Sequence, residues 1–417
     1  MRKVVVGAAL ALAVISAGMS ARAQNGATAP STPTLTVPEF TDALKNRRTD
    51  TRALAVRVQT WFGADNLKRG PNPKTNELTI VWAIETTPGQ GAPRVVSDDG
   101  EFSLPLQRIG TTNVYAATAS LPEGATVRWA YEVNGTRVGD FRTTEVYSTD
   151  PDLRPTPNVP KGTLTPMPPF KSKIYDGTTR NWWVYVPANY KPDGLPLAVM
   201  VYQDGAGPKN DVPTVLDNLI AKGDIPPMAA VFIDPGKFES NDRSNRSVEY
   251  DTLSDRYVRF LLEEILPETE RAMNIKLRQD GAGRGISGVS SGGICAFTAA
   301  WEKPDQFSKV VSGVGSFVNL QGGSTGIGGG HNYPTLIRKS KNNPKPIRVF
   351  LSDGANDLDN PFGNWPLANK QMVRALDWAG YDYRFVFGMG FHGGRFSSAL
   401  MPEALRYVWH DEAPPKR

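Results

Sequence analysis

The chain has 417 residues, 40% hydrophobic and 21% charged, which is enough apolar material for a sizeable core and, by length, for two or three domains. That composition excludes a disordered or fibrous protein. The net charge of +5 falls to +2 once Arg2, Lys3 and Arg22 leave with the leader described next, and near-neutrality favours neither nucleic acid nor an anionic membrane as partner.

Residues 1–23 read as a secretion signal: Arg2 and Lys3, an apolar run from Val4 to Ala17, then the small-x-small site Ala21-Arg22-Ala23. The mature chain then begins near Gln24 in the periplasm or medium. The apolar run is shorter than the roughly 20 residues a spanning helix needs, so no membrane span is expected. Cys295 is the single cysteine and excludes an intramolecular disulfide; its apolar helical setting marks a buried small hydrophobe.

Residues 24–50 form a polar lead-in with proline and threonine. From 51 to 150 the texture is that of a small all-β sandwich, with "ELTIVWAIE", "VYAATASL" and "TVRWAYEV" as strands. Asn134-Gly135 between two such runs predicts a two-residue hairpin turn. Seven prolines between Pro151 and Pro169 forbid helix and interior strand, so 151–170 is read as the linker between domains. From about residue 171 to 412, apolar strands ("NWWVYVP", "LPLAVMVY", "AAVFID", "KVVSGVG", "IRVFLSDG", "YRFVFGMG") alternate with helical patterns. Alternation of this kind predicts an α/β domain, a mostly parallel sheet covered by helices on both faces, with its chemistry in loops at the strands' carboxyl ends.

The stretch Gly288-Val289-Ser290-Ser291-Gly292 follows one predicted strand and opens a helix with Ile294, Phe297 and Trp301 at helical spacing. A G-x-S-x-G string marks a nucleophile only in that context, where the glycines permit a strained turn that lifts the serine Oγ clear of the backbone. A second match, Gly322 to Gly326 around Ser324, runs on into "IGGGHNYP" and lacks the helix. Ser290 is therefore the candidate nucleophile, against the plainer reading of a structural turn. A serine hydroxyl needs an imidazole to take its proton and a carboxylate to orient the imidazole, in the chain order serine, acid, histidine. Of three histidines, His392 in "GMGFHGG" follows a strand, His410 lies at a closing helix end, and His331 sits upstream of the acids in a glycine-rich loop, where it is either a pocket residue or a plain loop residue. His392 is the candidate base. The stretch "VFLSDGANDLDN" offers Asp353, Asp357 and Asp359; Asp357 is preferred for its place in the loop, with Asp359 open as the alternative. The tetrahedral intermediate needs two fixed donors: the Ser291 N–H, directly after the nucleophile, and one from "QDGAGPKN" after the strand "LAVMVY". No sequence feature calls for a metal or an organic cofactor: the spacing of the acids is not that of a calcium loop, and the glycine-rich stretch lacks the Lys-Ser/Thr of a phosphate loop.

With these residues in place, "WWVYVPANY", "VMVYQDG", "LIAKGDIPPMAAVFID", "RSVEYD", "FLLEEILPE", "GISGVSSGG", "GANDLDN" and "GYDYRF" occur in the order seen in esterases of the enterochelin esterase and feruloyl esterase type (carbohydrate esterase family 1), and the resemblance covers nearly all of 173–410. The preceding β-rich unit is similar to the immunoglobulin-like domain of enterochelin esterases. The resemblance implies an α/β-hydrolase fold, a triad at Ser290, Asp357 and His392, and a second oxyanion donor at Ala206. It also implies that "DRSNRSVEYD" belongs to the substrate pocket, which makes Arg243, Arg246 and Glu249 candidate substrate contacts; the plainer reading is an internal Arg–Glu pair that shapes the loop. Trp365 could stack on a sugar or aryl ring, or simply pack. The glycine loop from Gly322 to Gly330 is larger than in typical members and alters the pocket. The function expected is an exported serine esterase acting on small-molecule or oligosaccharide esters, feruloyl or acetyl, with a siderophore esterase, acyl transfer to a sugar, and a non-catalytic carbohydrate binder on a hydrolase scaffold as the alternatives.

Overall fold

The computed structural model describes residues 35–412 apart from 47, 99, 101, 123 and 322–327. The expected secretion signal and most of the glycine loop, Ser324 included, lie outside the described residues. Among those described, no helix is long and apolar enough to cross a membrane.

The N-terminal unit opens with helices, Val37–Lys45, Thr51–Phe62 and Ala64–Lys68, where the sequence reading had a lead-in followed by strands. The reason is local. Thr36 and Glu39 close a reciprocal capping box, and the Asp50 carboxylate accepts the N–H groups of Arg52 and Ala53. Leu54, Ala55, Val58 and Phe62 then share one face and, with Phe40 and Leu67, pack on Val81 and Ala83 of a four-stranded sheet. A second four-stranded sheet, which includes Thr126–Val133 and Thr136–Glu145, faces the other side of the first across Ile80, Trp82, Trp129 and Tyr131. The predicted hairpin is present, with Asn134 at φ 51° and Gly135 at φ 75° between the paired residues Val133 and Thr136.

The second unit is built on eight strands: β1 Thr163–Pro166, β2 Trp182–Val186, β3 Ala198–Gln203, β4 Met228–Ile233, β5 Arg284–Val289, β6 Lys309–Gly313, β7 Arg348–Asn356 and β8 Asp382–Phe391. Their spatial order is β1-β2-β4-β3-β5-β6-β7-β8. β1 and β2 run antiparallel to their neighbours, and β3 to β8 are parallel. β1 comes from the proline-rich stretch expected to be linker only. It can join because it is an edge strand, where a residue lacking an N–H leaves no ladder bond unmade. β3 and β4 are buried along their whole length, as strands covered on both faces must be. One layer of core carries Val201, Ile286 and Phe297, and the opposite layer carries Tyr202, Phe350 and Trp409. The expected α/β architecture behind a two-sheet β unit is thus the one observed, with the three helices as the unexpected addition to that unit.

Candidate active site

Ser290 joins the end of β5 to the helix Ser291–Glu302, with φ 61° and ψ −123°. This is the left-handed, strained backbone the sequence pattern demanded. Gly288 makes it possible: a Cβ there would sit 2.2 Å from the Gly292 carbonyl oxygen. The turn is pinned by the Ser290 N–H, which donates to Gly313 O on β6 at 2.9 Å.

His392 follows β8. Its Nε2 lies 2.8 Å from Ser290 Oγ and its Nδ1 2.6 Å from Asp357 Oδ1. The Asp357 side chain is fully buried, and the same oxygen accepts the Leu358 N–H at 2.6 Å. Asp359 instead pairs with Asn364 in a short exposed hairpin and does not meet the histidine. Asp353, on β7 behind Asp357, is pushed up to about 9, first by burial and then by the hydrogen bond and charge of Asp357.

Two further groups complete the inner wall. Ser316 Oγ lies 3.3 Å from Ser290 Oγ and accepts the Trp365 indole N–H at 3.1 Å. Trp365 is 2% exposed and meets the His392 ring edge-on, with centroids 5.6 Å apart. It packs behind the histidine and presents no face for a ligand to stack on.

The other expected residues divide. Ser291 occupies the first turn of its helix, where backbone N–H groups have no intrahelical acceptor, so its N–H is open to an oxyanion. Beneath it, burial raises the Asp251 carboxyl to about 6 against the pull of the Ser291 hydroxyl and the Arg246 guanidinium. Ala206 is a correction: its N–H donates to Asp234 Oδ1 at 2.9 Å, so a half-buried carboxylate just past the end of β4 already engages that donor. Arg246 lines the cavity, but its guanidinium is paired with Asp204 through two hydrogen bonds of 2.8 Å. Glu249 is also a correction, being 1% exposed and bound by Arg180 Nη1 at 2.6 Å and Nη2 at 3.2 Å. Its acceptor capacity is spent on shaping the Gly236 turn from within. Arg243 stacks over Phe238 at 5.3 Å and does not line the cavity; His331 is exposed and does not line it either.

Above Ser290 opens a cavity of about 840 Å³ whose walls come from both units. The sandwich contributes Thr75, Glu77 and Tyr147; the sheet unit contributes Ser290, His392 and Met401. A second bridge runs to the histidine loop. Glu145 Oε1, at the end of its sandwich strand, accepts the Phe391 N–H at 3.0 Å and the Tyr147 hydroxyl at 2.6 Å, and the Tyr147 ring stacks on Phe396 at 5.1 Å. Gly390 allows this approach, since a Cβ would stand 2.6 Å from the Tyr147 hydroxyl oxygen and 2.7 Å from Glu145 Oε1. Ser316, Glu145 and Tyr147 were missed in the sequence, where none sits in a recognisable pattern, and Asp353 was in view only as a candidate for the triad acid.

Comparison with known proteins agrees with this frame. Residues 175–361 match the family model described as "Putative esterase", a span that holds Ser290 and Asp357 and ends before His392. The uncharacterized protein YbbA of Bacillus subtilis is 22% identical over 185 residues, 43% of this chain and 69% of that one. The enterobactin esterase FES of Shigella flexneri superposes with a TM-score of 0.56 at 17% identity over 85% of this chain and 99% of that one. The ferric enterobactin esterase of Salmonella typhimurium gives 0.56 at 16%, with the same coverage. At such identities the superpositions show the α/β-hydrolase fold, and the family match supports an esterase, as the resemblance read from the sequence implied.

Proposed function

We propose that this chain is an exported serine carboxylic-ester hydrolase whose acyl-enzyme forms on Ser290. The observation that carries the reading is the single imidazole bridging Ser290 Oγ at 2.8 Å and Asp357 Oδ1 at 2.6 Å. In that geometry His392 Nε2 takes the hydroxyl proton as Oγ attacks the ester carbonyl carbon. The carbonyl oxygen gains the negative charge beside the Ser291 N–H. Collapse of the intermediate expels the alcohol, which leaves with the proton held on His392. Water, deprotonated by the same nitrogen, then attacks the acyl-serine, frees the acid and restores the hydroxyl. The leader in residues 1–23 supports export.

For the substrate, the charge lining favours an acylated carbohydrate, feruloyl or acetyl, over a catecholate siderophore. Four carboxylates, Glu77, Glu145, Asp204 and Asp211, border the cavity against two guanidiniums, Arg246 and Arg395, and Arg246 is already paired. Even with Arg154 standing 3.4 Å from Glu77, this lining repels a polyanionic ferric catecholate and accepts a neutral sugar ester. The siderophore alternative rests on the superposed enterobactin esterase, which matches this chain across both units. Acyl transfer to a sugar would use the same groups with a carbohydrate hydroxyl in place of water.

Hydrolysis of 4-nitrophenyl acetate by wild type and by Ser290→Ala tests the reading: the variant should lose at least about a thousandfold in kcat. Equal activity of the two would remove Ser290 from the mechanism, and no activity in either would leave a carbohydrate binder. Methyl ferulate set against a catecholate trilactone decides between the two substrate classes.

A further inference from the structure

Behind the Asp357–His392 pair lies a second carboxyl that the esterase reading does not use. Asp353 is 0% exposed, and its Oδ1 accepts the adjacent Gly354 N–H at 2.7 Å. Its Oδ2 is buried and has no donor; the same is true of Asp357 Oδ2 and of Asn369 Oδ1. The groups that act on Asp353 are the Asp357 carboxyl beside it, the Asn369 amide from the helix Trp365–Ala379, and the Gly354 N–H. The Asn369 Nδ2 is engaged by the carbonyls of Gly315 at 3.0 Å and Trp365 at 3.2 Å. Two carboxylates in contact in a buried site do not both carry charge, and one proton between them gives each orphaned oxygen a partner. That proton belongs on Asp353. Asp357 Oδ1 already takes two hydrogen bonds of 2.6 Å, from the Leu358 N–H and from His392, so Asp357 stands as the acceptor of the pair.

We propose that Asp353 is a positioning residue of the esterase: as a neutral carboxylic acid it donates a hydrogen bond to Asp357 Oδ2 and so holds Oδ1 against His392. The proposal rests on the Ser290–His392–Asp357 reading. It extends the relay one residue further into the core, and no bond to the substrate is involved.

The test compares kcat, KM and the pH profile of wild type, Asp353→Ala, Asp353→Asn and Ser290→Ala on a 4-nitrophenyl ester. Asp353→Ala removes the donor and leaves Asp357 free to turn; kcat should fall about ten- to a hundredfold, the worth of a hydrogen bond to a charged group, with KM little changed. Asp353→Asn should recover most of that loss, because its amide N–H donates as the acid does. Wild type should also lose activity near pH 9 as Asp353 ionises, whereas the non-titrating amide keeps its activity there. A kcat for Asp353→Ala within twofold of wild type, with Ser290→Ala inactive, overturns the proposal and leaves the esterase reading intact. So does equal impairment of both Asp353 variants with an unchanged alkaline limb, which marks a packing role. An active Ser290→Ala sinks the esterase reading itself, and the proposal with it. Should Asp353→Ala fail to fold, the alkaline limb of Asp353→Asn decides alone.

Discussion

Glu145 offers a direct test of whether the sandwich takes part in the reaction. Its carboxylate is 4% exposed and holds the N–H of Phe391, the residue before His392, at 3.0 Å. Replacing it with alanine leaves that N–H without its acceptor, at a cost of about 1–3 kcal/mol. The loop is not set free, because Met389 O still accepts from Asn356 Nδ2 at 2.6 Å and from Thr126 Oγ1 at 2.9 Å. If about 2 kcal/mol of the loss falls on the placement of His392, kcat/KM drops about thirtyfold. Glu145→Gln keeps the Oε1 acceptor and should lose less than about fivefold, since a neutral acceptor is weaker and not absent. The measurement is kcat/KM on a 4-nitrophenyl ester, with Tm recorded for both variants. Folded Glu145→Ala turning over as fast as wild type would refute this role of Glu145 and make the sandwich a passive neighbour.

Ser316→Ala removes the hydroxyl that links the Trp365 indole to Ser290 Oγ, and should lower kcat about three- to thirtyfold at unchanged KM; a change confined to KM would contradict that placement. Glu249→Ala strands the buried Arg180 guanidinium and should cost about 3–5 kcal/mol in urea unfolding, whereas Arg180→Met with Glu249→Met together should cost much less. Comparable losses for the single and double variants would show that packing, and not the stranded charge, sets the cost. The Asp353 carboxyl titrates at about 9 in the folded chain against the usual 3.8. Its stabilising contribution is therefore complete below about pH 4 and lost as pH rises through 9. Between those limits the Tm of wild type should fall relative to that of Asp353→Asn, and a constant gap would place the proton elsewhere.

Much of the second unit could be read directly because its signals are local. A strand, a glycine-flanked serine and a helix stand within a few residues around Ser290, and the loops after β7 and β8 could each be searched for one acid and one base. The N-terminal helices carried equally local signals in Thr36, Glu39 and Asp50, but the strand-like runs from Glu77 onward set the reading of the whole stretch from 51 to 150. Ala206 shows a different limit. Sequence placed the residue in the right loop, yet which way a backbone N–H points depends on Asp234, 28 positions away. The contact between Glu145 and Phe391 spans 246 positions and has no counterpart in either local stretch. Asp353 was in view among three acids, and its role depended on burial that β7 acquires only between β6 and β8.

The cavity borrows its outer wall, through Thr75 and Glu77, from a unit that supplies none of the reacting atoms. On the proposed reading, part of the choice of ester is thereby written in a stretch of gene separate from the one that encodes Ser290, Asp357 and His392. A hairpin edited far upstream can admit a bulkier or differently charged guest while the hydrolytic apparatus stays untouched, which gives natural drift and the protein engineer the same low-risk handle.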